Sequence, residues 1–161
     1  MRSIFRPGAY RNIVSMWALW FVGLVAFQGL VSARLGLIRP DRALFWTADE
    51  TMAYSQRGKP TLLDPFMNAH VSWDSEFYLS IALNGYDDAA VRAIGPDDDP
   101  ISLNYAFMPF YPLVTRVVAL PLRVLGLTPI ATVTLAGVLV SALGTLAAML
   151  ALYDLTAEAL S

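Results

Sequence analysis

Six side chains have the types and spacing for transfer chemistry. Trp73, Asp74, Glu76 and Tyr78 fall within one short run, and Tyr111 and Arg116 follow about 35 residues later. Hydrolysis of a glycosidic bond normally takes two carboxylates. Moving a sugar off a lipid phosphate asks for less. The phosphate leaves without being protonated, so one carboxylate is enough to take a proton from the acceptor hydroxyl. A cation or a set of N–H groups then stabilises charge gathering on the phosphate. Asp74 suits the base and Arg116 the cation, while Trp73, Glu76, Tyr78 and Tyr111 are candidates for holding substrate.

Each residue also has a plainer explanation. Asp74 sits where an acid in a first helical turn gains about 0.3–1 kcal/mol from the macrodipole. Arg116 would equally serve by snorkelling or by pairing inside a helix bundle. Phe107, Phe110 and Tyr111 read more simply as interfacial anchors than as sugar-stacking platforms. Asp74 and Glu76 form a D-x-E pair of the kind that holds divalent metals. Residues two apart on a helix point to different sides, however. No metal ligand set and no cofactor are assigned, although a divalent metal stays open. Asp97, Asp98 and Asp99 lie between prolines and read as a solvated loop. His70, the single histidine, reads as a polar loop residue.

The elements that must carry these residues are membrane helices. Hydrophobic residues make up 57% of the 161 positions and charged residues 15%. Soluble domains average about 45–50% and about 25%. The mean hydropathy is +0.53. A net charge of −2 gives no electrostatic grip on nucleic acid, so no nucleic-acid partner is expected. The absence of cysteine excludes disulfides and thiolate sites. Arginine outnumbers lysine ten to one and no Asn-x-Ser/Thr acceptor occurs, which leans toward a bacterial source.

Three spans are expected. Residues 12–34 enclose a charge-free run from Ile13 to Ala33, long enough at about 1.5 Å per residue to cross roughly 30 Å of hydrocarbon. A cleaved signal peptide would have a shorter apolar core. Residues 128–153 form the third span, opening at Thr128-Pro129, with Gly137, Ser141, Gly144 and Ala148 as a small-residue face for close helix packing. Residues 106–123, with Pro109, Pro112, Pro121 and Arg116, make a second span or a re-entrant segment. A span is favoured, since without it the third would run in the opposite direction. Arg2, Arg6 and Arg11 place the N-terminus and the 123–128 turn in the cytoplasm. The loop 35–105 is then outside, long enough to cross largely regardless of its charge.

Within that loop the pattern predicts an amphipathic helix over Asp41–Gln56. It predicts a second over Trp73–Asn84, capped by Ser72 and stopped by Gly85. Residues 87–100 read as an acidic connector. The fold class is therefore mainly α, a polytopic membrane protein with short amphipathic helices in one extracytoplasmic catalytic loop.

Trp73-Asp74-Ser75, Tyr78-Leu79-x-Ile81-Ala82, Gly85-Tyr86 and Ala106-Phe107-x-Pro109-x-Tyr111-Pro112-Leu113 with Arg116 together resemble the PIG-V family of mannosyltransferases. The resemblance runs from about Asn68 to Asp154. It implies a GT-C membrane fold, a polyprenyl- or dolichyl-phosphate sugar donor, a glycolipid or glycan acceptor, and a functional Trp73-Asp74 pair. It also implies residence in a bacterial inner membrane, or in the endoplasmic reticulum membrane with a luminal loop. Eukaryotic members often place histidine before the Trp-Asp pair, where this chain has Ser72. Family members have many more spans, so the chain reads as an N-terminal part that packs against further transmembrane helices. A non-catalytic membrane assembly subunit, docking through the small-residue face, is the reading from another class.

Overall fold

The computed structural model describes residues 7–34, 70–71, 74–88, 92–94 and 100–159. The helix expected over 41–56, Ser72, Trp73 and the Asp97–Asp99 run lie outside them, as does the side chain of Glu76. The described part is mainly helical: α1 (Pro7–Arg34), α2 (Ser75–Asn84), α3 (Phe110–Leu122) and α4 (Pro129–Ala159). Two three-residue strands, β1 (Arg92–Ile94) and β2 (Pro100–Ser102), pair antiparallel with Ala93 opposite Ile101. The connector expected at 87–100 thus contains a short hairpin. Its proline opens the second strand, where it is tolerated at a strand start.

Two helices are long and apolar enough to cross a membrane, Gly8–Val31 within α1 and Pro129–Ala159. Helix α1 leaves Met16, Leu19, Val22, Phe27 and Leu30 more than half exposed. An apolar helix with bare large side chains has no soluble core to serve. Helix α4 opens on Pro129, and the Ala131 amide donates to Thr128 Oγ1 at 3.3 Å, so Thr128 acts as the cap.

The middle segment departs from the expected span. Helix α3 has 13 residues and rises about 20 Å, short of a hydrocarbon core. Pro109 and Pro112 explain where it starts, because neither can donate a backbone bond and the first turn needs none. The direction of the long helices agrees. The Tyr10 hydroxyl at the start of α1 donates to Asp154 near the end of α4, and the Tyr10 and Tyr153 rings meet edge to face. Trp17 Nε1 donates to the Ala142 carbonyl at 2.9 Å. The two long helices therefore lie antiparallel, whereas a third span between them would have made them parallel.

Helices α2 and α3 pack on the first half of α4. Val71, Leu79, Ala82, Ala119, Ile130, Val133 and Ala136 form the buried core there. Helix α2 begins two residues later than its pattern predicts, with Asp74 rather than Ser72 in the cap position. It stops as expected at Gly85, whose φ of +87° is the conformation that glycine tolerates best.

Candidate functional site

Asp74 is exposed at the head of α2, and its carboxylate makes no capping hydrogen bond. Macrodipole stabilisation alone does not need such a bond, but the side chain is left with both oxygens available. The next residue, Ser75, lines a pocket of about 270 Å³ enclosed by all four helices. From α1 come Trp20, Phe21, Leu24, Val25 and Gln28; from α2, Tyr78 and Leu79; from α3, Tyr111. Helix α4 closes it with residues between Thr134 and Thr145.

Two of the expected site residues meet here. The Tyr78 and Tyr111 rings lie 5.5 Å apart, edge to face, and Tyr78 also meets Phe107 edge to face at 5.2 Å. Phe77 stacks on Phe107 at 4.7 Å from the other side. These cross-segment contacts make one aromatic wall from α2, the chain leading into α3 and the first turn of α3. Tyr111 has spent its hydroxyl, which donates to the Gly137 carbonyl at 3.1 Å and lies 3.4 Å from Ser141 Oγ. A Cβ at position 137 would stand 2.9 Å from that oxygen, so glycine is required for the approach. The small-residue face of α4 is therefore used by Tyr111 at Gly137 and Ser141, while Gly144 meets nothing within 4 Å.

Arg116 lies elsewhere. Its Nη2 donates to the Leu83 carbonyl at 3.0 Å, at the C-terminal end of α2, where a cation complements the orphan carbonyls. Nine residues of helix, about 13 Å, separate that carbonyl from Asp74. The structure does not bring base and cation together. Only one of five guanidinium N–H groups is engaged by this bond, and the side chain is exposed.

A polar network fixes the far end of α2. The fully buried Asn104 amide donates to Ser80 Oγ at 2.8 Å and to the Gly85 carbonyl at 3.1 Å. Ser80 and Asn84 both donate to Asp88, at 2.7 and 2.8 Å. Tyr86 closes onto the Phe107 carbonyl at 2.9 Å, and Ser102 donates to the Tyr86 carbonyl. This network, not the aromatic run alone, holds Phe107 against α2. Tyr105 donates to Asp87 at 3.0 Å, and that bond to the carboxylate raises its pKa. Burial pulls His70 below its ordinary value, which keeps the imidazole neutral at neutral pH.

Sequence reasoning missed Gln28, Ser80, Asn104 and the individual part of Gly137. Gln28 had a signal, as the one carboxamide in an otherwise apolar span. Asn104 had none, because its partners lie 19 and 24 residues away. Among the described residues, no group of three His, Asp or Glu side chains is placed to hold a metal ion. Comparison with protein-family models, with curated proteins and with solved structures finds no match to this chain.

Proposed function

We propose that the protein is a membrane glycosyltransferase, which moves a sugar from a polyprenyl- or dolichyl-phosphate donor to an acceptor hydroxyl with Asp74 as general base. Mannose as the sugar rests on the resemblance to the PIG-V family alone. The observation that carries the reading is the Asp74 carboxylate. It is exposed, unspent in capping, and one residue from the wall of a pocket enclosed by all four helices.

The antiparallel pair supports a membrane arrangement in which α1 leads out, α2 and α3 stay outside, and α4 returns. The 123–128 turn then lies outside with the loop, opposite to its placement by charge counting. Helix α3 becomes a re-entrant or juxtamembrane piece. Roughly 30 Å of hydrocarbon, about 20 residues counted from Tyr10 and Asp154, puts the outer boundary near Leu30 and Thr134. Gln28 and Gly137 then lie about 3–5 Å inside it, a depth suited to a substrate whose chain stays in the bilayer. In this reading Arg116 fixes the end of α2 through the Leu83 carbonyl and takes no part in holding the donor phosphate.

The test is Asp74→Asn in the parent enzyme. The substitution keeps size and hydrogen bonding but removes basicity, so transfer should fall by roughly 10²–10⁴-fold with membrane insertion unchanged. Near-normal transfer would return Asp74 to a helix-stabilising role. A non-catalytic assembly subunit is the second reading, favoured by the open face at Gly144. Such a subunit would tolerate Asp74→Asn and lose its partner on Gly144→Leu.

A further inference from the structure

Helix α3 is packed the wrong way round for a helix with neighbours on one side only. The side chains that it buries are small: Pro112, Thr115 and Ala119. Its large ones are bare, and Phe110, Leu113, Val117 and Leu120 are each more than half exposed. Val124, in the 3-10 turn Arg123–Leu125 that follows the helix, extends the series. Burial of large apolar side chains drives helix packing, so a face that withholds all five is left for a partner outside the four helices.

The spacing indicates the partner. The five fall at i, i+3, i+7, i+10 and i+14, the a and d positions of two heptads. They are all the large apolar side chains exposed between residues 110 and 124. Val117 and Val124 stand at a, where β-branched residues favour two strands, and Leu113 and Leu120 stand at d, where leucine does. Lipid asks for apolar character without register. Helix α1 has that character, since its exposed Val14, Met16, Val22 and Leu24 point all round the helix. Arg116 and Arg123 fall at g, directly before the two valines. In a parallel pair g faces e of the partner, which for Arg116 is Pro121, so like charges do not meet across the seam.

We infer that α3 is the contact between two copies of this chain, which meet in parallel along the seam from Phe110 to Val124. Two copies held in one membrane stand the same way up, so their twofold axis lies along its normal and equivalent helices share a direction. Two heptads would not hold free peptides together. Here α3 is already fixed, by Tyr111 on Gly137 and by Arg116 on Leu83, so pairing orders little further backbone. The inference does not depend on the transferase reading, and a non-catalytic assembly subunit would pair in the same way.

The test uses the full chain in lipid vesicles, where the lack of native cysteine makes each introduced thiol the only one. Copies carrying Leu113→Cys should join one another under a mild oxidant, and so should copies carrying Leu120→Cys, because facing d positions come within disulfide reach. A mixture of the two variants should give chiefly the two like pairs. Leu143→Cys on α4, as exposed as Leu113, should stay unlinked. Förster transfer between labelled copies should fall on dilution with lipid. Val117→Glu sets two carboxylates face to face in the seam and should raise the dissociation constant about 100-fold. Chiefly mixed Leu113–Leu120 links would mean an antiparallel contact. Equal linking at Leu143→Cys would mean chance encounters on a lipid-facing surface. No linking at either seam position would mean that another partner, or another part of the chain, covers the face. Each of these overturns the inference, as does transfer indifferent to Val117→Glu. The cysteine series decides the question even if the Val117→Glu chain fails to fold.

Discussion

The two halves of α4 are held by different means. From Ile130 to Gly137 the helix is largely buried under α2 and α3; Thr115 of α3 and Asn104, which binds α2, are almost fully enclosed. From Leu143 onward it presents Leu143, Leu152 and Leu155 more than half exposed, with α1 joined to it through Trp17 and Tyr10. One half is organised by side chains meeting side chains, where burial and close packing contribute as they do in water-soluble cores. In the other half the apolar surface is left bare, and association with α1 depends on a few interhelical hydrogen bonds and van der Waals contact. Substitutions should therefore be felt very unequally along one continuous helix.

The largest effect is expected at Asn104. Replacing it by alanine removes its two side-chain hydrogen bonds and leaves Ser80 and the Gly85 carbonyl buried. A loss of about 2–4 kcal/mol follows from the cost of unpaired buried groups. Thermal unfolding in detergent checks it, and an unchanged midpoint would break the distinction between the halves. Gly137→Ala comes next. Its methyl group would meet the Tyr111 hydroxyl at 2.9 Å, so overpacking should cost about 1–3 kcal/mol. Gly144→Ala, two turns away in open space, should cost nothing and gain a few tenths from helix propensity. Trp17→Phe should cost only about 0.6 kcal/mol, the average for a hydrogen bond between membrane helices.

His70 gives the last contrast through pH. Its folded pKa is lowered by burial, so the unfolded chain binds the proton more readily. Stability should be full above the unfolded value near 6.5 and decline as the pH falls below it. His70→Gln should flatten that decline between pH 7.5 and 5.5. An equal slope in the variant would mean that other groups set the acid sensitivity.

Legibility in the sequence follows the same divide. The two long apolar helices were readable because lipid exposure imposes one requirement, an unbroken run of apolar residues, as in Ile13–Ala33 and Val124–Tyr153. Gly85 was readable because a positive φ has few residue solutions. The reading failed where tertiary contact decides. Apolar character made 106–123 look like a span, yet the helix waits for Phe110 and ends at Leu122 because its partners are α2 and the first turns of α4. Ser72 and Asp74 suit the cap equally by residue type, and the helix starts at the one from which Phe77 stacks on Phe107. At the candidate site, Tyr78 and Tyr111 were legible as aromatics near an acid. Arg116 was legible as a cation, but its turn toward the end of α2 was not.

The contact of Tyr111 with Gly137 works as a detent. If α3 slid along α4 by one helical turn, about 5.4 Å, its hydroxyl would strike the side chain of Val133 or Ser141 instead of a bare backbone. The next glycine, Gly144, is two turns off. This single missing methyl group helps set the register of α3, and with it Tyr78, on α4.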